Sequence, residues 1–564
     1  MEKHLTTTFW LLILILIIAS FLRLYNITSV PPGLYPDEAM DGTNAQEAIA
    51  TGNFRVFYPE NNGREGLFMN IQAIPILLFG NEPWALRIVS AFFGILTVLG
   101  LFFFTKQLFH PLLFHKNIDE LSHPDFQRKR KSIFSNINPN AIALLASFFL
   151  ATSFWHINFS RISFRAIMAP FFAVWAFYFL LKAFNHTDGP YSSARGGSAF
   201  GGKFYILNSL IGGLFFGLGF YSYIAFRPLP ILALVIFLIY WLDHRDKAFR
   251  KKLLMASGYW LVATFIVALP LGLYFVQNPA DFFGRTNEIS IFNSPTPLGD
   301  LATNIVKTAG MFNVQGDQNW RHNVAGRPEL FWSVGLLFLL GVILGFRKSV
   351  RRYRIKHHSR VESTFEFKDT KAIVYAFIIL ISWILIASLP VIISNEGLPH
   401  ALRAILMLPP LMIFAALGGI MLYKFIKEWV IENSHQETDI KHKKTRVNLL
   451  LFKIATGVFL TMLVFEAYFT YFIVWGENPN VAGAFNQEHV AIARLLNTMP
   501  PYIPKYVLVK ADGVLVRGIP MPTQTVMFIT DTFTLEKQRK KNIHYVLPNQ
   551  IDQIPEGAFA ITLK

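Results

Sequence analysis

The chain has 564 residues, 53% of them hydrophobic and only 15% charged, with a mean hydropathy of +0.39. A soluble chain carries roughly 25% charged residues, so the composition excludes an ordinary soluble domain and indicates an integral membrane protein. The net charge of +17 does not indicate nucleic acid, because most lysines and arginines lie in short loops between apolar runs, where they set topology; cysteine is absent, which excludes disulfides, thiolate metal sites and a cysteine nucleophile.

A transmembrane helix needs roughly 20 mostly apolar residues. The first apolar run, Phe9 to Leu22, follows Lys3. No small-x-small cleavage site comes after it, and many spans do, so it reads as a retained anchor. The predicted spans are 9–25, 84–105, 140–158, 164–184, 205–223, 227–242, 253–276, 330–346, 372–394, 401–423 and 449–474. The run from Gly66 to Gly80 is too short to cross comfortably and reads as a juxtamembrane or re-entrant segment.

The loops set the orientation. Alternate loops carry QRKRK (127–131), DHRDKAFRKK (243–252), RKSVRRYRIKHHSR (347–360) and KHKKTR (441–446), and the loop at 185–203 falls on the same side. The positive-inside rule makes these cytoplasmic, together with the N-terminus. Eleven spans then put the C-terminus outside, along with 26–83, 159–163, 224–226, 277–329 and 395–400. After Trp475 the character changes. HVAIARLLNTM has helical spacing, while KYVLVK, TVMFIT, HYVLP and AFAITLK read as short strands between Pro, Gly and Asp. The expected organisation is a transmembrane domain over 1–475 and a small external α/β domain over 476–564. The latter is short for an independent core and should lean on the membrane domain.

Polar residues concentrate on the predicted external side. The first loop offers Asp37, Glu38, Asp41 and Glu47, then Glu60, Arg64 and Glu65. GDQNWRHN (316–323) offers Asp317, Asn319, Trp320, Arg321, His322 and Asn323, and LPHALRA offers His400 and Arg403. Arg165, Arg227 and Arg403 each fall near the external start of an inward-running span. A helix N-terminus is already partly positive, so an arginine there is unfavourable unless an anion joins it. Such ends are ready phosphate sites, and at a membrane surface the phosphate most naturally belongs to a lipid. An arginine at a span end can instead snorkel to the headgroups, and Asp37 and Asp41, four apart, also fit a solvated helix face. His322 and His400 also fit purely structural roles. No HExxH, Walker-type loop or Cys/His cluster is present.

GLYPDEA and YPENNGREGLFMNIQA in the first loop, NFSRISFRAIMAPFF, GLGFYSYIAFRPLP, GMFNVQGDQNWRHNVAGRPEL and PHALRAILMLPPL together resemble glycosyltransferase family 39 of the GT-C superfamily. That family contains protein O-mannosyltransferases and bacterial aminoarabinose transferases; ENNGREG departs from the latter, so the acceptor cannot be carried over. The resemblance implies a mainly α, GT-C type bundle, a polyprenyl-phosphate sugar donor, reaction at the external face and Asp37 as the catalytic acid.

Inverting transfer from a lipid phosphate needs a base for the acceptor hydroxyl and cations for the leaving phosphate. On this expectation Asp37 is the base and Glu38 orients it or the acceptor. Arg403, Arg227, Arg165 and His400 hold the phosphate. Arg64 and Glu65 line the site, and Asp317, Asn319, Trp320, Arg321, His322 and Asn323 contact substrate. No cofactor is required, although two carboxylates could hold a divalent metal. The partners expected are the lipid-linked donor, an acceptor protein, lipid or glycan, and membrane lipids, with no nucleic acid. The competing expectations are an oligosaccharide ligase or polymerase, and a non-enzymatic transporter of an anionic lipid.

Overall fold

The computed structural model describes residues 2–110, 138–185, 201–288, 290–358, 364–432 and 439–564. The basic stretch 127–131, the loop residues 186–200 and residues 359–360 lie outside the described residues. Eight described helices are long and apolar enough to cross a membrane: Thr6–Leu24, Pro83–Leu108, Arg165–Asn185, Ile224–Asp243, Lys247–Gln277, Ile373–Ile392, Ile405–Ile431 and Thr445–Trp475. Two shorter apolar helices, Phe204–Gly219 and Trp332–Arg347, occupy two more of the predicted spans. The protein is a multi-pass membrane protein built as a helical bundle.

The predicted span 140–158 is not one straight helix. Pro139–Thr152 and Phe154–Arg161 meet at a bend of 58°. Ser153 adopts extended backbone between them and its side chain accepts from the His156 N–H, so it caps the second helix. The bend turns Phe154–Arg161, buried along its whole length, into the protein beneath the outer loops.

Lipid tails are as apolar as leucine, so helices in a membrane associate through close packing rather than burial from water. The crossing of Trp332–His358 with Leu408–Glu432 is an example. A Cβ on Gly341 would lie 2.0 Å from the Phe414 carbonyl oxygen, and one on Gly418 would lie 2.0 Å from that of Leu337. Larger residues at either glycine would push the two backbones apart. The predicted juxtamembrane segment forms the helix Leu67–Phe79. Its Phe68 and Met69 join the main core, whereas Ile74, Leu77 and Leu78 are exposed, as suits a helix lying at the lipid surface.

The C-terminal region carries a parallel three-stranded sheet in the order β6–β3–β7, formed by β3 (Lys505–Val509), β6 (Ile543–Val546) and β7 (Phe559–Leu563). A hairpin of β4 (Leu515–Val516) and β5 (Ile519–Pro520) stands beside it. The predicted strand TVMFIT is instead part of the helix Gln524–Thr530. A short apolar run has no period to separate strand from buried helix, and here every residue of the segment is buried. Its core is shared with the first outer loop: Leu34, Ala39 and Ala45 pack with Val507, Val526 and Phe528.

Candidate active site

The site starts from YPDE. Tyr35 is extended, and Pro36 opens the helix Pro36–Thr51, where its fixed φ suits the first turn. Glu38 reaches back to accept the Tyr35 N–H at 3.1 Å. It also accepts the Ser163 N–H at 2.6 Å and both prongs of Arg87, each at 3.0 Å. Glu38 is completely buried. Arg87 further donates to the Pro31 and Gly33 carbonyls at 2.6 and 2.9 Å. Gly33 has φ +71°, and a Cβ there would lie 2.2 Å from the Phe485 carbonyl, so only glycine lets the loop pass beneath the C-terminal region. Glu38 therefore does not reach the cavity described below. It positions the start of the helix, and with it Asp37.

Asp37 and Asp41 share one helix face. Opposite them stands a hairpin of β1 (Phe57–Tyr58) and β2 (Arg64–Glu65). Strand alternation sends neighbouring side chains to opposite faces. Arg64 turns to the helix, donating to Asp41 Oδ1 at 2.6 Å and to Asp37 Oδ1 at 3.0 Å. Glu65 turns away and pairs with Arg165 at 3.0 Å and Arg227 at 3.6 Å. In the hairpin turn Asn61 and Asn62 have φ of +51° and +62°, a region asparagine tolerates. Asn61 thereby places its amide 2.7 Å from Asp37 Oδ1. Asp37 Oδ1 is held from two sides, while Oδ2 has no hydrogen-bond partner among the described residues and the side chain is 41% exposed. Burial raises the Asp41 carboxyl to about 6, against the opposing pull of Arg64 and Arg165. Burial would lower the Arg64 guanidinium, but Asp41 and Asp37 outweigh it and hold the pKa above its usual value.

The arginines divide by partner. Arg165 lines the cavity but is committed to Glu65. Arg227 does not line it; it lies 4.4 Å over the Phe282 ring and donates to the Phe282 carbonyl at 3.1 Å. Arg403 lines it and pairs with Glu396 at 2.7 Å, with Ser394 Oγ as a further acceptor. Arg321 lines it 3.9 Å over the Tyr35 ring, and among the described residues no carboxylate lies within ion-pair distance. Its backbone is fixed by the Asn158 amide, which donates to the Arg321 carbonyl at 2.8 Å.

The segment 316–323 is mostly self-supporting. Asp317 Oδ1 accepts the Asn319 N–H at 2.8 Å, and its Oδ2 faces His322 Nδ1 at 2.8 Å and accepts the Ala401 N–H at 2.9 Å. Glu329 accepts the Asp317 N–H at 2.9 Å and the Asn323 amide at 3.3 Å. The Trp320 carbonyl accepts from Trp475 at 2.8 Å. Asp317, Asn319, Trp320 and Asn323 thus build the loop without lining the cavity, whereas Arg321 and His322 face it. Burial lowers the His322 pKa, opposed by Asp317, which leaves a neutral ring at physiological pH. His400 also lines the cavity, its ring 5.0 Å from that of His322. Asp317, His322 and His400 are the one group of three or more His, Asp or Glu side chains among the described residues with ligand atoms close enough to share a metal ion.

Together these side chains border a cavity of about 490 Å³. The wall segments 35–64, 321–322, 396–400 and 486–522 belong to the side predicted external, and 164–166, 223 and 402–403 to the predicted external ends of spans. The C-terminal region forms the roof through Asn486, Asp512 and Met521. Arg517, at the tip of the β4–β5 hairpin, clasps Glu47 and Glu60 at 2.7 Å each and ties that roof to the first loop. Among wall residues not anticipated as site residues, Asp41 carried a signal in its i, i+4 spacing from Asp37. Tyr35, Asn61, Tyr223, Glu396 and Asp512 carried none.

No protein-family model and no curated protein matches the chain. Among solved structures it is similar to the apo oligosaccharyltransferase of Archaeoglobus fulgidus, at 12% identity and TM-score 0.50 over 96% of this chain and 65% of that one. The chain thus spans less than two thirds of that protein's length. ArnT from Cupriavidus metallidurans bound to undecaprenyl phosphate aligns at 13% identity and TM-score 0.45, over 99% of this chain and 93% of that one. The same protein in its apo state aligns at 13% identity and TM-score 0.40, over 99% and 93%. The likeness to the oligosaccharyltransferase is one of fold, that of a multi-helix membrane bundle; in this chain the bundle carries a small C-terminal sheet region.

Proposed function

We propose that the chain is an inverting membrane glycosyltransferase, of the family 39 kind, that moves a sugar from a polyprenyl-phosphate donor to an acceptor hydroxyl. The observation that carries this reading is one cavity holding both an open carboxylate oxygen, Asp37 Oδ2, and Arg321, a cation with no carboxylate partner among the described residues. A transporter would gather its polar groups near mid-membrane, whereas these line a cavity walled largely by segments of the predicted external side. The basic loops predicted on the opposite side support an outward-facing cavity.

In the reaction the acceptor oxygen attacks the anomeric carbon while its proton passes to Asp37 Oδ2. The bond between that carbon and the phosphate oxygen breaks, and the electron pair stays on the lipid phosphate. Arg321 stabilises the charge that develops there. Arg403 joins it when the exposed Glu396 side chain gives way to the phosphate. The lipid tail lies between the spans. The test is sugar transfer or release by the purified protein in lipid nanodiscs, with a panel of radiolabelled polyprenyl-phosphate sugars and cell-envelope acceptors. Product with inverted anomeric configuration is expected. A folded protein that binds these lipids and turns over none of them would overturn the reading.

Two consequences follow from the wall residues. A hydrogen bond to a charged group contributes roughly 1.5–3 kcal/mol, so Arg321→Ala should lower kcat/KM for the donor by about 10- to 150-fold. Arg321→Lys should recover part of that loss; donor kinetics on both variants decide it. The second concerns pH. Asp41 is raised to about 6 and so takes up a proton as pH falls through that value. Its negative charge then vanishes beside Asp37, and Arg64 is left to pair with Asp37 alone, holding that carboxylate away from the acceptor. The transfer rate should fall below about pH 6. Asp41→Asn should be slower at neutral pH and lack that limb; an unchanged pH profile would refute the coupling.

A further inference from the structure

We propose that Asp317, His322 and His400 form a binding site for one first-row transition-metal dication of the Zn2+ type, with an open coordination position facing the cavity. One ligand atom from each side chain lies within 4.8 Å of the others. The three come from two loops some 80 residues apart, joined by the bond from the Ala401 N–H to Asp317 Oδ2 at 2.9 Å. Both loops are fixed before any ion arrives. Glu329 holds the Asp317 backbone, and Trp155 donates to the Ala401 carbonyl at 3.1 Å.

The contact between Asp317 and His322 alone would account for a hydrogen-bonded pair. A second imidazole, that of His400, stands 5.0 Å away, and its ligand atom lies within reach of the same ion. Two imidazoles and one carboxylate are the ligand set of catalytic zinc centres, which keep a fourth position for water or substrate. Imidazole ligands favour zinc and its neighbours over magnesium or calcium, which take oxygen shells. Both rings border the cavity, while Asp317 stands behind them. Arg321 and Arg403 border the same cavity, so an anion there would meet them beside the ion. An ion at this site would present its open position to an anionic oxygen in the cavity. Assigning that oxygen to the donor phosphate rests on the transferase reading; the metal site does not.

The test uses the full chain, tag removed, stripped with a chelator and titrated with Zn2+ alone. One tight equivalent per chain is expected by elemental analysis and calorimetry. His322→Gln and His400→Gln should each weaken it beyond the 10- to 100-fold that losing an outer-shell partner costs. Thermal midpoints of the metal-free variants should match the parent. Absence of a stoichiometric site, or binding in either variant as tight as in the parent, overturns the proposal. Co2+ loaded into the unmodified chain supplies a readout that needs no variant. Intense visible bands of a four- or five-coordinate centre support the site, and the weak bands of a six-coordinate aquo ion overturn it. Since no sugar transfer is read, a failed donor assay beside an intact metal site would sink only the transferase reading.

Discussion

Asp37→Asn is expected to lower the rate of sugar transfer by about 10²- to 10⁴-fold, the range a positioned general base contributes, with donor binding changed only slightly. The amide keeps the shape of the side chain. Its oxygen can still accept from Asn61 and Arg64, which now meet at Asp37 Oδ1 at 2.7 and 3.0 Å. Only the open position loses its ability to take a proton. The helix start is set by Glu38 and Arg87, so the variant should fold. Asp37→Glu should retain a fraction of activity, because the carboxylate survives while its reach changes. Single-turnover rates with bound donor separate chemistry from binding. Full activity in a folded Asp37→Asn would move the base elsewhere, with Asp41 already disfavoured by its ion pair to Arg64 at 2.6 Å.

The architecture was legible because it rests on long-range averages. Apolar runs and basic loops marked the spans, and parity placed the wall segments on one face before any contact was known. Local features behaved differently. The bend at Ser153 depends on one side chain capping a helix that composition makes look continuous. TVMFIT carries β-branched residues that suit a strand, yet its burial on every side makes a short helix equally good. Site residues split in the same way. Asp37 was expected through the resemblance carried by GLYPDEA, whereas Asp41 was noted only for its i, i+4 spacing from Asp37, which also fits a solvated helix face. The commitment of Arg165 and Arg227 to Glu65 was not visible, because a strand sends Glu65 away from its neighbour Arg64, and the partners lie 100 or more residues distant. Arg321 stands out only once the other arginines are seen to be paired. Asp512 reaches the cavity through a roof whose docking depends on Gly33 and Arg517, neither of which signals contact in one dimension. Glu38, expected beside the chemistry, turned inward because the capping position that suits it also faces Arg87.

That inward turn makes Arg87 the position where a single change should cost the most stability. Its side chain is 1% exposed and that of Glu38 is not exposed at all. Arg87→Met would leave the Glu38 carboxylate buried with only two N–H donors, those of Tyr35 and Ser163, and would strip the Pro31 and Gly33 carbonyls of a donor. Breaking a buried pair from one side typically costs about 3–5 kcal/mol, since the remaining charge is uncompensated. The thermal midpoint in detergent or nanodiscs should fall by many degrees. Transfer should fall with it, because the helix bearing Asp37 loses its anchor. Glu38→Gln placed on top of Arg87→Met removes the stranded charge, and its single amide oxygen keeps the bond to one of the two N–H donors, that of Tyr35 or that of Ser163. The double variant should therefore be more stable than Arg87→Met alone, by an amount that the double-mutant cycle reads as coupling. If the two losses simply added, the pair would be a bystander, and the start of the Asp37 helix would have to be held by the Pro36 turn and by packing against the C-terminal region instead.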